Sequence, residues 1–147
     1  MKIVFSALMF VLAGMVPTAN AVELSNLRVT HAFYAALGNT DIGDAIISEI
    51  VSDDLVVELR DLGITQNRDE FLESLPQVRE ALEEKPVTHR IMEVGEGVIV
   101  VTACYEFNSN DFLARETVSF TDNLISTVVQ EELSDDCAAM LSGETEQ

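Results

Sequence analysis

Apolar positions recur at helical spacing through the first half of residues 26–133 and alternate at strand spacing through the second. Val29, Phe33 and Leu37 fall at four-residue steps, which places them on one face of a helix running from about Ser25 to Leu37. Gly38 suits a left-handed stop. Asp41 is a good N-cap for a second helix, with Ile42, Ile46 and Ile50 as its buried stripe. Leu55, Val57 and Leu59 alternate, which predicts a strand over Leu55–Arg60, and Asp61-Leu62-Gly63 turns the chain. Phe71, Leu75, Val78 and Leu82 line one face of a third helix. This helix carries two start signals, Asn67-x-x-Glu70 and Ser74-x-x-Gln77, each of capping-box form. Pro76 fits the first turn of a second helical piece, so the element is expected to bend or split near Ser74.

Pro86 stops the helical pattern, and period two follows. Strands are predicted over Thr88–Val94, Val98–Phe107, Phe112–Phe120 and Leu124–Leu133. Gly95-Glu96-Gly97, Asn108–Asp111 and Thr121-Asp122-Asn123 connect them. Connections this short make the neighbours antiparallel. Helices first and a meander last predict an α+β domain. The expected arrangement is one curved, mostly antiparallel sheet with three N-terminal helices on its concave face. Such a layout leaves a pocket.

The N-terminus carries a separate signal. Lys2 precedes an apolar stretch, Ile3–Val16, which Pro17 ends, and Ala19-Asn20-Ala21 has the small-x-small form of a signal-peptidase site. The stretch is too short for a hydrocarbon core of about 30 Å. Residues 1–21 are therefore read as a signal peptide, residues 22–141 as one domain, and the polar residues 142–147 as a flexible tail. The expected location is exported, periplasmic or secreted, with no stable membrane anchor.

Charge narrows the partners. Eight Lys and Arg face 26 Asp and Glu, a net charge of −18, and cleavage would remove Lys2 and no acid. Such a surface repels nucleic acid and anionic lipid. The plain alternative is that the charge only keeps the protein soluble. Export makes a disulfide between Cys104 and Cys137, the only cysteines, a sound expectation. An inert buried thiol and a metal pair are the alternatives, and two Cys without a nearby His form a poor zinc site. No metal or cofactor is expected.

Three local stretches carry a family resemblance. Phe33-Tyr34-Ala35-Ala36-Leu37 with Asp41-Ile42-Gly43-Asp44-Ala45-Ile46 is similar to a first helix pair. Ser52-Asp53-Asp54-Leu55-Val56-Val57 is similar to the junction into a first strand. Ser119-Phe120-Thr121-Asp122-Asn123-Leu124-Ile125 is similar to the turn into a final strand. With the element order, these stretches resemble the nuclear transport factor 2-like superfamily, in particular its SnoaL-like branch. The resemblance implies a cone-shaped α+β barrel of that curved sheet, often dimeric through the outer sheet face. It also implies functions that range from isomerases, cyclases and epoxide hydrolases to modules that only bind.

The catalytic sets of that superfamily transfer poorly. The Tyr, Asp base and protonated Asp of the steroid isomerases fall on Phe33, Leu59 and Leu113, all apolar here. Tyr34 lies one residue away, about 100° around the helix. The epoxide hydrolases' Arg has a counterpart in Arg115, with Gln130 and Glu132 alternating on the last strand. Arg–Glu pairs on antiparallel strands are more often structural than catalytic. Asp61 stands at the expected mouth of the cone, though a turn residue before Leu62-Gly63 explains it as well. Glu116 shares a strand face with Val118 and Phe120; it is a buried acid if that face is inward, and the reading adopted is the outward one. His31 and His89 form no metal site unless folding joins them.

The sequence thus supports a small, largely apolar ligand in a pocket lined by candidates Phe33, Tyr34, Leu59, Asp61, Leu113, Arg115, Gln130 and Glu132. No complete catalytic set is visible. A hydrolase or isomerase of a small organic substrate and a dimerising interaction module are the alternatives.

Overall fold

The computed structural model describes residues 19–141. Most of the expected signal peptide and all of the expected tail lie outside them. Helix α1 spans Ala19–Leu37 and α2 spans Gly43–Ile50. Strand β1 (Val51–Leu59) leads through a 3-10 turn, Arg60–Leu62, into β2 (Ile64–Asn67) and α3 (Arg68–Leu82). A meander follows: β3 (Thr88–Gly95), β4 (Val98–Glu106), β5 (Asp111–Thr121) and β6 (Leu124–Ser134), then a short α4 (Ala138–Leu141). No helix among the described residues is long and apolar enough to cross a membrane.

The strands form one six-stranded sheet in the order β2-β1-β6-β5-β4-β3. Every pairing is antiparallel except β1 with β6. Register shifts interrupt β1/β6, β3/β4 and β5/β6. Bulges bend a strand and increase its twist, which curves the sheet without closing it. Tight turns set the meander. Gly97 at φ 68° and the Asp122-Asn123 pair at φ 52° and 62° take the left-handed geometry that two-residue hairpin loops require.

Alternation then sorts each strand into two faces. Ile99, Val101, Ala103 and Tyr105 of β4 lie with Ala114 and Val118 of β5 in the main core, against Phe33, Leu37, Leu75 and Leu82 from the helices. On the other face, Cys104, Leu113, Cys137 and Met140 make a small separate cluster. The Cys104–Cys137 disulfide is present, with Cα atoms 5.7 Å apart. Arg90 Nη2 donates to the Met140 carbonyl at 3.1 Å and holds α4 on that outer face.

Four local expectations are corrected. Asp41 is not the N-cap of the second helix: Ile42 holds that position without a side-chain cap, and Asn39 Oδ1 accepts from the Asp41 and Ile42 amides in the turn before it. Helix α2 buries Gly43 and Ile47, while Ile42 is exposed, because Gly43 is driven against α1. A Cβ at residue 43 would meet the Ala36 carbonyl oxygen at 2.3 Å and Arg79 Nη2 at 2.5 Å. Helix α3 is a single element through Pro76, started by the Asn67–Glu70 capping box alone. The short β2, whose residues are mostly exposed, was not expected from alternation.

Arg79 of α3 ties the three helices together. It is buried, and its guanidinium donates to the carbonyls of Leu37 and Ala36 at 3.2 and 3.3 Å and to Asp44 Oδ1 at 2.5 Å. The carbonyls it caps are those that the end of α1 leaves without helical partners.

Candidate functional site

Register places the site. Tyr105 on β4 stands opposite Phe112 on β5, and Glu116 lies on the same face of β5, opposite Gln130 on β6. Gln130 in turn faces Leu59 on β1. Phe33 and Leu37 of α1 and Phe71, Leu75 and Val78 of α3 stand over this row, and a cavity of about 510 Å3 lies between. Its wall is chiefly apolar and aromatic, with Phe107 and Val57 among the remaining lining residues. The polar groups reaching it are Asp61, Gln66, Ser74, Asn110, Glu116, Gln130 and Glu132.

Glu116 is the chemical centre. It is 1% exposed, yet it lines the cavity. The Tyr105 hydroxyl and Gln130 Nε2 both donate to its Oε1 at 2.6 Å, and the Tyr34 hydroxyl donates to its Oε2. Both of its oxygens thus have hydroxyl or amide partners. A buried charge is costly unless its lone pairs are satisfied, and three donors meet that requirement. Burial pushes the phenols of Tyr34 and Tyr105 well above the ordinary tyrosine range, and the adjacent Glu116 charge pushes them further. Both tyrosines thus stay neutral donors. No ion pair of the described residues involves Glu116.

The candidates divide. Phe33, Leu59, Asp61, Gln130 and Glu132 line the cavity. Tyr34 lies behind it, fully buried, and acts through Glu116. Leu113 and Arg115 lie elsewhere. Leu113 packs on the disulfide cluster of the outer face, and Arg115 is exposed there, in register with Thr102 and Glu131. Arg115 and Glu132 therefore occupy opposite faces and form no internal pair. Glu116 itself corrects the outward reading. The alternation of Ala114, Glu116, Val118 and Phe120 already marked it as a lone acid on an apolar row. Tyr105 and Phe112 were readable as neighbours across the β4–β5 turn, but no local signal tied them to Glu116.

Folding does join the two histidines. His31 Nδ1 and His89 Nε2 are 2.7 Å apart, a hydrogen bond in which one ring donates and the other accepts. His89 also stacks on Tyr34, with centroids 4.8 Å apart. Burial holds the His89 imidazole below its ordinary pKa, and the neighbouring His31 lowers it further. Among the described residues, no group of three or more His, Cys, Asp or Glu is arranged to hold a metal ion.

The fold meets a known class. Comparison with family models and with curated proteins finds no match. Solved structures match across most of the chain. A protein from a Jannaschia species named as a SnoaL-like polyketide cyclase is 10% identical, with a TM-score of 0.61 over 88% of this chain and 96% of that one. An NTF2-like protein of unknown function from Burkholderia xenovorans is 15% identical, with a TM-score of 0.59 over 85% and 96%. A protein from Catenulispora acidiphila with a ketosteroid isomerase-like fold, solved in complex with trimethylamine, is 14% identical, with a TM-score of 0.57 over 75% and 89%. The chain has the nuclear transport factor 2-like fold, in the form shared by SnoaL-like and ketosteroid isomerase-like proteins.

Proposed function

We propose that this chain is an exported protein that binds a small, largely apolar molecule in the cavity between α3 and the concave sheet face. The observation that carries this reading is an aromatic-lined cavity of about 510 Å3 with one buried, hydrogen-bonded carboxylate in its wall. Ligand sites commonly combine an apolar wall with a few placed polar groups. Native mass spectrometry of protein purified from its own host tests the reading. A retained organic ligand that is lost in Leu75→Trp, which fills the cavity, supports it. No retained ligand, together with no binding from a panel of small apolar compounds, sinks it. Export has its own test: the purified protein begins at Val22 if the signal reading is right and at Met1 if it is not.

A second reading, an isomerase or hydrolase, is favoured by Glu116 alone. A carboxylate at a cavity wall can act as a general base, taking a proton from a substrate carbon or from water. Glu116→Gln would then abolish turnover of a substrate found by screening. Unchanged turnover in that variant removes Glu116 from the chemistry.

A further inference from the structure

The charge of the cavity wall is one-sided. Asp61, Glu116 and Glu132 line it, and among the described residues no Lys, Arg or His does. The nearest sequence neighbour that could supply a cation, Arg60, is engaged with Glu58 and Glu131. Asp61 and Glu132 stand at the exposed rim, where the Glu132 amide donates to Asp61 Oδ2 at 2.5 Å. Glu116 is different in kind. It is buried, faces the cavity, and has its oxygens satisfied by neutral donors only. Its hydrogen bonds are met, but among the described residues no cationic side chain pairs with it.

The rest of the wall suits a cation as well. Phe33, Phe71, Tyr105, Phe107 and Phe112 all line the cavity. Tyr105 stacks near Phe107, with centroids 5.8 Å apart, and tilts against Phe112 at 6.0 Å. Ring faces attract cations, most strongly when the cation has shed its water. A strongly hydrated metal ion or primary ammonium gives up too much solvation to enter an apolar wall. An alkylated ammonium with a hydrophobic body gives up far less. An anion would meet uncompensated repulsion from Glu116 in a low-dielectric space.

From these three features the geometry points to an apolar organic cation, a tertiary or quaternary ammonium on a hydrophobic body, as the ligand class of this cavity. The inference rests on the cavity being a ligand site. The cationic head sits near Glu116 among the rings of Tyr105, Phe107 and Phe112, and the body fills the space beneath α3.

Isothermal titration with shape-matched probes tests it. Adamantane and naphthalene, each carrying a trimethylammonium, a hydroxyl or a carboxylate, form two such series. The titrations are run at about 0.3 M salt, so that attraction by the overall acidic surface is screened. The ammonium is expected to bind at least about tenfold more tightly than the alcohol, with the carboxylate weakest. Glu116→Gln should bring the ammonium down to the alcohol's affinity and leave the alcohol unchanged. If that variant does not fold, Phe107→Leu serves: it should weaken the ammonium several-fold more than the alcohol. An alcohol or carboxylate that binds as tightly as the ammonium overturns the cation inference and leaves the apolar-ligand reading standing. No binding by any of the six probes overturns both.

Discussion

Tyr34 on α1 and Glu116 on β5 stand 82 positions apart in the chain and share a buried hydrogen bond, the phenol donating to the carboxylate. This contact fastens the first helix to the middle of the sheet and closes the back of the cavity. Tyr34→Phe keeps the ring and removes the donor. The loss is expected to be about 1.5–3 kcal/mol, the range for a hydrogen bond to a charged group. Urea unfolding measures it as a lower midpoint at unchanged slope. An unchanged midpoint would show that the contact does not hold the helix.

Alkaline titration reports the same cluster. The chain has two tyrosines and no tryptophan, so its near-ultraviolet tyrosine signal comes from Tyr34 and Tyr105. Both phenols are raised by burial and by Glu116. The folded state therefore holds their protons more tightly than the unfolded state does. Stability from this source is complete below about pH 10, the ordinary tyrosine value, and falls as the pH rises above it. Phenolate absorbance should appear only together with loss of the folded circular dichroism signal. Free titration near pH 10 in folded protein would contradict the buried placement.

Acid acts at the other end of Tyr34. Because His89 is held below its ordinary value by burial and by His31, protonation favours the unfolded state. Stability from this pair is present above about pH 6.5 and is lost as the pH falls through the lowered value. His89→Phe retains a ring to stack on Tyr34 and cannot take a charge. Between pH 7.5 and 5.5 the melting temperature of the wild type should drop further than that of the variant. Equal drops would show that the pair does not matter.

Arg79 and Gly43 should prove sensitive for one shared reason. Arg79→Met takes a donor from the Leu37 carbonyl and from Asp44, while the Ala36 carbonyl keeps the Asn39 amide. About 1–3 kcal/mol of destabilisation is expected from the Leu37 carbonyl that loses this donor. Gly43→Ala pushes a methyl into the Ala36 carbonyl and the Arg79 guanidinium. It should cost more than a glycine-to-alanine change in a helix normally gains, so the sign of the change in chemical denaturation is the readout.

Reducing the Cys104–Cys137 bond opens a loop with a sequence separation of 33. In the chain-entropy model its loss costs about 3–4 kcal/mol. Cys104→Ala/Cys137→Ala should lower the unfolding free energy by that order. The cavity should survive, because the bond lies on the opposite sheet face. A double variant as stable as the parent would mean that the tail contributes nothing.

Local patterns determined much of this protein. Alternation in β4, β5 and β6 and the turn residues between them dictated the meander, since a short loop admits only an antiparallel return. Asn67 and Glu70 announced the start of α3, and the only two cysteines announced their bond. The tertiary structure decided which face of each pattern is covered. Glu116 and Arg115 are adjacent on one strand, and alternation states only that they point opposite ways. Tyr34, arriving from α1, and Tyr105 and Gln130, from neighbouring strands, supply the donors that make the inward place affordable for Glu116. Ile47 rather than Ile42 is buried because Gly43 lets α2 close on α1, and Pro76 is carried within α3. The residues of β2 are mostly exposed, so it has no apolar alternation to read and exists through pairing with β1. Period is a property of neighbouring residues, whereas burial depends on what the rest of the chain brings against them.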